Sequence, residues 1–268
     1  MDLIDSHAHL DFPQFDADRR EVLSRAQAAG VSSILAIGSG PGPEKLDAAL
    51  PFAESHDWIF ASIGIHPHEA RLATDADFAS LDRLARHPRV IAWGEIGLDY
   101  FYDHSPRDIQ AQVFRRQLDH ARAARKPIII HCRDAWPYCL SILEDAWRAP
   151  GLGGIFHCFT GTLDEAHRGL GMGFLISFAG NCTYPKAQSI RDVVAALPLE
   201  SLLIETDAPF LAPQPYRGKR NEPAWVAEVA KTLASVRKSS PAEIAAATAD
   251  NFRRFFGLGS NAGRDLQA

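Results

Sequence analysis

The chain has 268 residues, 46% hydrophobic and 23% charged, with a formal net charge of -5 and an isoelectric point near 6.1. This composition excludes a disordered or fibrous protein, and the acidic balance excludes a broad electrostatic footprint for nucleic acid, so any such binding must be local. No run approaches the ~18 apolar residues of a membrane span, and Met1-Asp2-Leu3-Ile4-Asp5 has no basic segment leading into an apolar one. A cytoplasmic protein with no membrane contact is expected.

Apolar, β-branched runs predict strands near 3–7, 32–37, 58–63, 90–95, 127–131, 153–157, 173–178 and 201–206. The segments between them, such as 18–29, 106–125 and 186–197, repeat apolar residues every three or four positions, the period of an amphipathic helix. Eight strand-helix alternations predict an α/β fold, a closed (β/α)8 TIM barrel with its site at the C-terminal ends of the strands. No G-x-G-x-x-G follows the first strand, which disfavours a doubly wound sheet. One domain over residues 1–256 is preferred to two. Residues 223–236 read as the eighth outer helix, 241–256 as one or two further helices, and 257–268, with three glycines, as a mobile tail. The longest connection without clear periodicity, 208–222, should overhang the barrel mouth as a functional loop.

Cys132, Cys139, Cys158 and Cys182 form no C-x-x-C pair, so no disulfide framework is expected. Cys132 and Cys158 each follow a ligand-type histidine and alternate to the other face of their strands, where they read as small buried hydrophobes.

The strand ends carry the chemistry. The run Arg89-Val-Ile-Ala-Trp-Gly-Glu95 stops on a carboxylate flanked by Gly94 and Gly97, which let other groups approach the backbone. His7 and His9, two apart, can grip one ion together. His131 and His157 end the fifth and sixth strands, neighbouring staves of the barrel. Asp207 ends the eighth, beside the first once the barrel closes, and Glu95 ends the fourth, next to His131. A two-metal site follows: His7, His9 and Asp207 on one ion, His131 and His157 on the other, Glu95 bridging.

Around this centre, His66 in Gly64-Ile-His-Pro-His68 reads as a phosphate contact or leaving-group acid, or as a structural histidine, and with His68 it forms a rival metal pair. Arg133 reads as a bidentate phosphate ligand or as an ion-pair partner of Asp134 or another acid. Glu205 is placed to orient a metal ligand. Asp5, Asp99 and Asn181 read as structural or supporting residues. On the 208–222 loop, Arg217, Lys219 and Arg220 with Phe210 and Tyr216 combine cations that follow a phosphate backbone with rings that stack on bases, unless the segment is only a solvated turn.

Ser-His-Ala-His-Leu-Asp at 6–11, Gly-Glu-Ile-Gly-Leu-Asp-Tyr at 94–100, Ile-His-Cys-Arg-Asp-Ala at 130–135, Phe-His-Cys-Phe-Thr-Gly at 156–161, Glu-Thr-Asp-Ala-Pro at 205–209 and Arg-Gly-Lys-Arg-Asn-Glu-Pro at 217–223 resemble the TatD family of metal-dependent deoxyribonucleases. The resemblance runs from residue 1 to about 256. It implies a phosphodiesterase of the amidohydrolase superfamily with ligands at His7, His9, Glu95, His131, His157 and Asp207. It also implies DNA as the partner, trimmed from single-stranded 3′ ends, a direction that comes from the resemblance alone.

Phosphodiester hydrolysis needs a hydroxide at neutral pH, a phosphorus relieved of negative charge and a stabilised leaving alkoxide, and two divalent ions ~3.5–4 Å apart serve all three. Asp207 is the expected general base. Mixed imidazole and carboxylate ligation fits Mg, Mn or Zn. A rival reading keeps the barrel but hydrolyses a small amide, lactone or nucleobase; superfamily relatives of that kind often carry a carboxylated lysine where this chain has Glu95. A non-enzymatic binding protein predicts loss of ligands, and all six are intact. A monomer is expected.

Overall fold

The computed structural model describes residues 1–39, 42–147 and 151–259. Eight parallel strands lie in one sheet in chain order: β1 (Leu3–Ala8), β2 (Val31–Ala36), β3 (Ile59–Ile63), β4 (Val90–Asp99), β5 (Ile128–Arg133), β6 (Gly154–Phe156), β7 (Phe174–Phe178) and β8 (Leu202–Ile204). The two edges meet just beyond β8, where Asp207 N–H donates to His7 O at 2.9 Å and His9 N–H to Ala208 O at 2.8 Å. An isolated parallel bridge, Ala8 to Ala208, completes the closure. The expected (β/α)8 barrel is therefore the fold, and its closing seam runs through the ligand positions themselves.

The outer layer is α1 (Arg19–Ala28), α2 (Leu50–Ser55), α3 (Asp75–Leu84), α4 (Arg107–Ala123), α5 (Trp136–Ala146), α6 (Leu163–Gly171), α7 (Gln188–Ala196) and α8 (Val226–Arg237). Local chemistry sets several of the starts. Thr74 with Asp77 and Thr162 with Glu165 form capping boxes that satisfy the first free N–H groups of α3 and α6. The segment expected as one or two closing helices is a single helix, α9 (Pro241–Phe256), opened by a Ser240–Glu243 capping box with Pro241 in its first turn and closed by Gly257 at φ 65°. Of the expected tail, residues 260–268 lie outside the described residues.

Two apolar cores follow from strand alternation. The larger lies between the barrel and its helices and takes in Cys132 and Cys139, as expected of a cysteine on the outward face of β5. The smaller fills the barrel itself: Ile4, Leu35, Phe60, Ala92, Ile129, Ile155 and Leu203, with Leu175 partly buried against them, so every strand contributes. Ala249 and Phe252 of α9 join this interior cluster, so α9 plugs the end of the barrel opposite the ligand-bearing strand ends. A sealed floor and a polar mouth leave one open end for chemistry.

The structure departs from the sequence reading at β4, which was expected to end at Glu95 and instead runs on to Asp99. The β4–β5 pairing slips between Trp93 and Ile96, then resumes with Gly97 opposite His131 and Asp99 opposite Arg133. Gly97 has a φ of 140°, and a side chain there would meet His131 O at 2.0 Å, so only glycine lets the strand continue against β5.

Candidate metal centre

All six expected ligands converge at the mouth, and Glu95, only 2% exposed, stands between two groups of donors. On one side, Glu95 Oε2 lies 3.4 Å from His7 Nε2 and 3.7 Å from His9 Nε2. Asp207 Oδ1 lies 3.6 and 3.4 Å from the same two nitrogens, which are 3.3 Å apart. On the other side, Glu95 Oε1 lies 2.7 Å from His131 Nδ1, 2.8 Å from His157 Nε2 and 3.5 Å from His66 Nε2.

These spacings fit a metal cage. The separations given for these first donor atoms, 3.3–3.7 Å, are longer than the 2.7–3.2 Å of a good hydrogen bond, so they bond one another only weakly. Four ligands held tetrahedrally at about 2.0–2.1 Å from a divalent ion stand roughly 3.3–3.4 Å apart, close to what is found. His7 Nδ1 and His9 Nδ1 have no hydrogen-bond partner among the described residues, so the polar contacts of these buried rings are all made through Nε2 within the cluster. Groupings of donors able to hold a metal include His7, His9 and Glu95 on one side and Glu95, His131 and His157 on the other.

Supporting carboxylates fix the rings. Glu205 Oε1 accepts from His157 Nδ1 at 3.1 Å and from Cys158 N–H at 2.6 Å, which aims His157 Nε2 at Glu95. This is the orienting role read for Glu205 from its position. Asp5 accepts from Thr206 N–H at 2.9 Å and His7 N–H at 3.3 Å, tying β1 to the segment that carries Asp207. Asp99, read only as supporting, is more central: its Oδ2 accepts from His131 Nε2 at 3.0 Å and from His68 Nε2 at 2.8 Å, and its Oδ1 from the N–H groups of Phe101 and Tyr102. Its signal in the sequence was the four-residue spacing from Glu95, which puts both carboxylates on one face if the strand does not stop. His68 is thereby held by Asp99, although His66, His68 and His131 also stand close enough to form a third grouping of donors.

Electrostatics follow from burial and opposite charge. Burial pushes the Glu95 carboxyl up, but the surrounding His157, His66 and His7 rings outweigh it and hold it well below the usual carboxylate range. Burial likewise opposes protonation of His157, and the Glu95 and Glu205 carboxylates override it, raising that ring well above its ordinary value. At His66 burial wins over Glu95, pulling the imidazole down to about 4. His7 is also lowered by burial, and it stacks on His157 with ring centroids 3.9 Å apart.

The residues expected to meet substrate fall into two groups. Phe210 is 43% exposed at the rim, edge-on to Phe12 and to His9. Arg217 lies over the Tyr184 ring and Lys219 beside Tyr216, both cations being exposed. Tyr216 itself stacks on Trp225 at 4.1 Å, which occupies one of its faces. Arg220 is turned away to Asp18, with Nη1–Oδ1 at 2.6 Å and Nη2–Oδ2 at 2.8 Å. Glu222 pairs with Arg25 at 2.6 Å, so the end of the loop is clamped to α1. Arg133 makes no ion pair with Asp134 or any other acid among the described residues; its guanidinium lies over Phe101 and Tyr102.

A (β/α)8 barrel whose strand ends gather histidines and carboxylates into groupings able to hold a metal ion has the architecture of a metal-dependent hydrolase. The chain belongs to the family described as TatD related DNase, whose profile matches residues 4–257. It is 43% identical to the metal-dependent hydrolase YabD of Bacillus subtilis over 95% of this chain and 98% of that protein. It is 36% identical to the 3′-5′ ssDNA/RNA exonuclease TatD of a Rahnella species over 93% and 96% of the two chains. The crystal structure of YjjV, a TatD homologue from Escherichia coli, superposes with a TM-score of 0.88 at 35% identity, covering 95% of this chain and 98% of that one.

Proposed function

We propose that the protein hydrolyses phosphodiester bonds of single-stranded DNA from the 3′ end, with two divalent ions, Mg, Mn or Zn, held between His7, His9 and Asp207 on one side and His131 and His157 on the other. The observation that carries this reading is the division of the Glu95 carboxylate, Oε2 toward the first set of donors and Oε1 toward the second. The exonuclease activity named for the Rahnella relative supports the polymer and its polarity. Residues 1–256 act as one catalytic unit.

His7, His9, Glu95, His131, His157 and Asp207 would hold the divalent ions, which would supply Lewis-acid polarisation of the phosphate and lower the pKa of water toward neutrality. Asp207, at 13% the most exposed side chain of the four in the first set, accepts the proton of the attacking water through Oδ2, the oxygen not turned to His7 and His9. Glu95 keeps the two sets of donors at fixed separation, and Glu205 and Asp99 hold the His157 and His131 rings in the tautomers the cage needs. His66, kept neutral by burial, donates a hydrogen bond to a phosphate oxygen; acting as acid toward the leaving alkoxide requires the phosphate's charge to raise it first. Arg133 and the exposed pair Arg217 and Lys219 meet phosphates beyond the scissile one, and Phe210 offers a ring to a base.

End-labelled single- and double-stranded DNA incubated with the protein and Mg, Mn or Zn tests the proposal. A ladder descending from the 3′ end of the single strand is expected. Inert DNA together with turnover of small amides or lactones overturns it in favour of the small-molecule reading.

A further inference from the structure

The turn after β4 exposes two large rings at the mouth, Phe101 at 54% and Tyr102 at 49%. Rings left half in water lose the gain of burial, yet this pair is held in place rather than loose. Asp99 Oδ1 accepts from both of their N–H groups, at 3.0 and 2.9 Å. Arg133 lies over them, 4.0 Å from the Phe101 centroid and 4.7 Å from that of Tyr102. His104 stacks on Tyr102 at an interplanar angle of 9°. The wall adjoins the metal centre: the Tyr102 ring is 5.5 Å from His68, whose Asp99 partner also holds His131.

Half-exposed rings beside a guanidinium with no carboxylate partner among the described residues suit one kind of occupant, a nucleobase attached to a phosphate, packed on the ring surface that Arg133 and His104 leave open. The base lies on the ring while the phosphate meets the cation. We propose that Phe101, Tyr102 and Arg133 form a base-stacking subsite for the nucleotide next to the scissile phosphate, across the mouth from Phe210. This rests on the nuclease reading above and specifies how that site selects a nucleotide polymer. Because the same Asp99 carboxylate holds the wall and His131, the stacked base and the scissile phosphate are positioned from one anchor.

The test compares single-stranded DNA with the same oligonucleotide lacking the base on one side or the other of the 3′-terminal linkage, a tetrahydrofuran standing at that sugar. In the parent protein, removing one of these two bases should raise KM roughly 5- to 150-fold, the range of one base–aromatic stack. In the Phe101→Ala/Tyr102→Ala variant, whose changed side chains leave the N–H groups free to donate to Asp99, the ratio of abasic to intact KM should fall close to one. Tyr102→Phe should keep the parent ratio, and Tyr102→Ala alone should give an intermediate one. A double variant with the parent ratio, or a parent indifferent to both missing bases, overturns the subsite. A parent that cleaves none of the oligonucleotides with any of the three metals overturns the nuclease reading itself, a result distinguishable from the others.

Discussion

Asp99 and His131 are joined through the far nitrogen of the ring, His131 Nε2 to Asp99 Oδ2 at 3.0 Å, which leaves Nδ1 facing Glu95 at 2.7 Å. A buried carboxylate behind a ligating imidazole fixes its tautomer and raises its basicity. Asp99→Asn should therefore weaken metal binding or activity by about 10- to 100-fold. Chelator competition measures the affinity, and an unchanged value would reduce Asp99 to a turn residue.

Glu95→Ala removes the carboxylate whose two oxygens face the two sets of donors. At most one ion per chain should remain, with activity lower by a factor of about 10² or more. The barrel should largely survive, since its apolar core is untouched. Elemental analysis of the purified variant beside the parent gives the stoichiometry; two ions with normal turnover would sink the bridging assignment.

Metal binding should release protons. His157 is raised well above its ordinary value by Glu95 and Glu205 against the effect of burial, so without metal it holds its proton to higher pH than a free imidazole. A folded pKa above the unfolded value of 6.5 gives a stabilisation fully present below that pH and lost as pH rises through the folded pKa. Metal affinity should run the other way, increasing with pH as the competing proton leaves. Titrating metal into weakly buffered protein at pH 7 with an indicator dye should show about one proton or more released per chain.

The cations of the 208–222 loop should separate into two kinds. Neutralising Arg217 and Lys219 should lower the log-log salt slope of single-stranded DNA binding by about 0.7 for each phosphate left without its cation. Arg220 is already occupied by Asp18, so Arg220→Ala should change the slope little and instead loosen the loop's attachment to α1. That half-exposed pair is worth at most about 1 kcal/mol, so the melting temperature should move only slightly. Equal slope changes at all three positions would return Arg220 to the substrate path.

Phe252 is fully buried in the barrel's interior cluster. Phe252→Ala should cost about 3–5 kcal/mol through the transfer energy of the ring and the cavity left in the floor. Denaturant unfolding followed by tryptophan fluorescence measures it; a loss below about 1 kcal/mol would mean that α9 is an appendage and not a plug.

Much of the fold was legible in the order of residues. Strand and helix periods are local, so eight alternations place the strands within a few residues of where they lie, and a closed barrel then forces strand ends to one face. This is why His7, His9, His131, His157 and Asp207 could be brought together from their order alone, although they are spread over most of the chain. Glu205 was readable for the same reason, two residues from Asp207.

Other features depended on contacts between distant segments. The continuation of β4 to Asp99 requires the slip against β5 and a glycine pressed on the His131 backbone, neither of which has a local signal. The commitment of Arg220 to Asp18 joins residues far apart in the chain, and charge pattern alone cannot distinguish a paired cation from a free one. The exposed wall of Phe101 and Tyr102 has the sequence of an ordinary turn, and only the fold lays Arg133 over it. Sequence by itself determined the barrel and which histidines and carboxylates meet at its mouth, because periodicity and strand ends are properties of short stretches. Only the tertiary structure decided which carboxylate holds which ring, because a hydrogen bond a few ångströms long depends on the register between strands, and register is fixed by packing across the whole barrel.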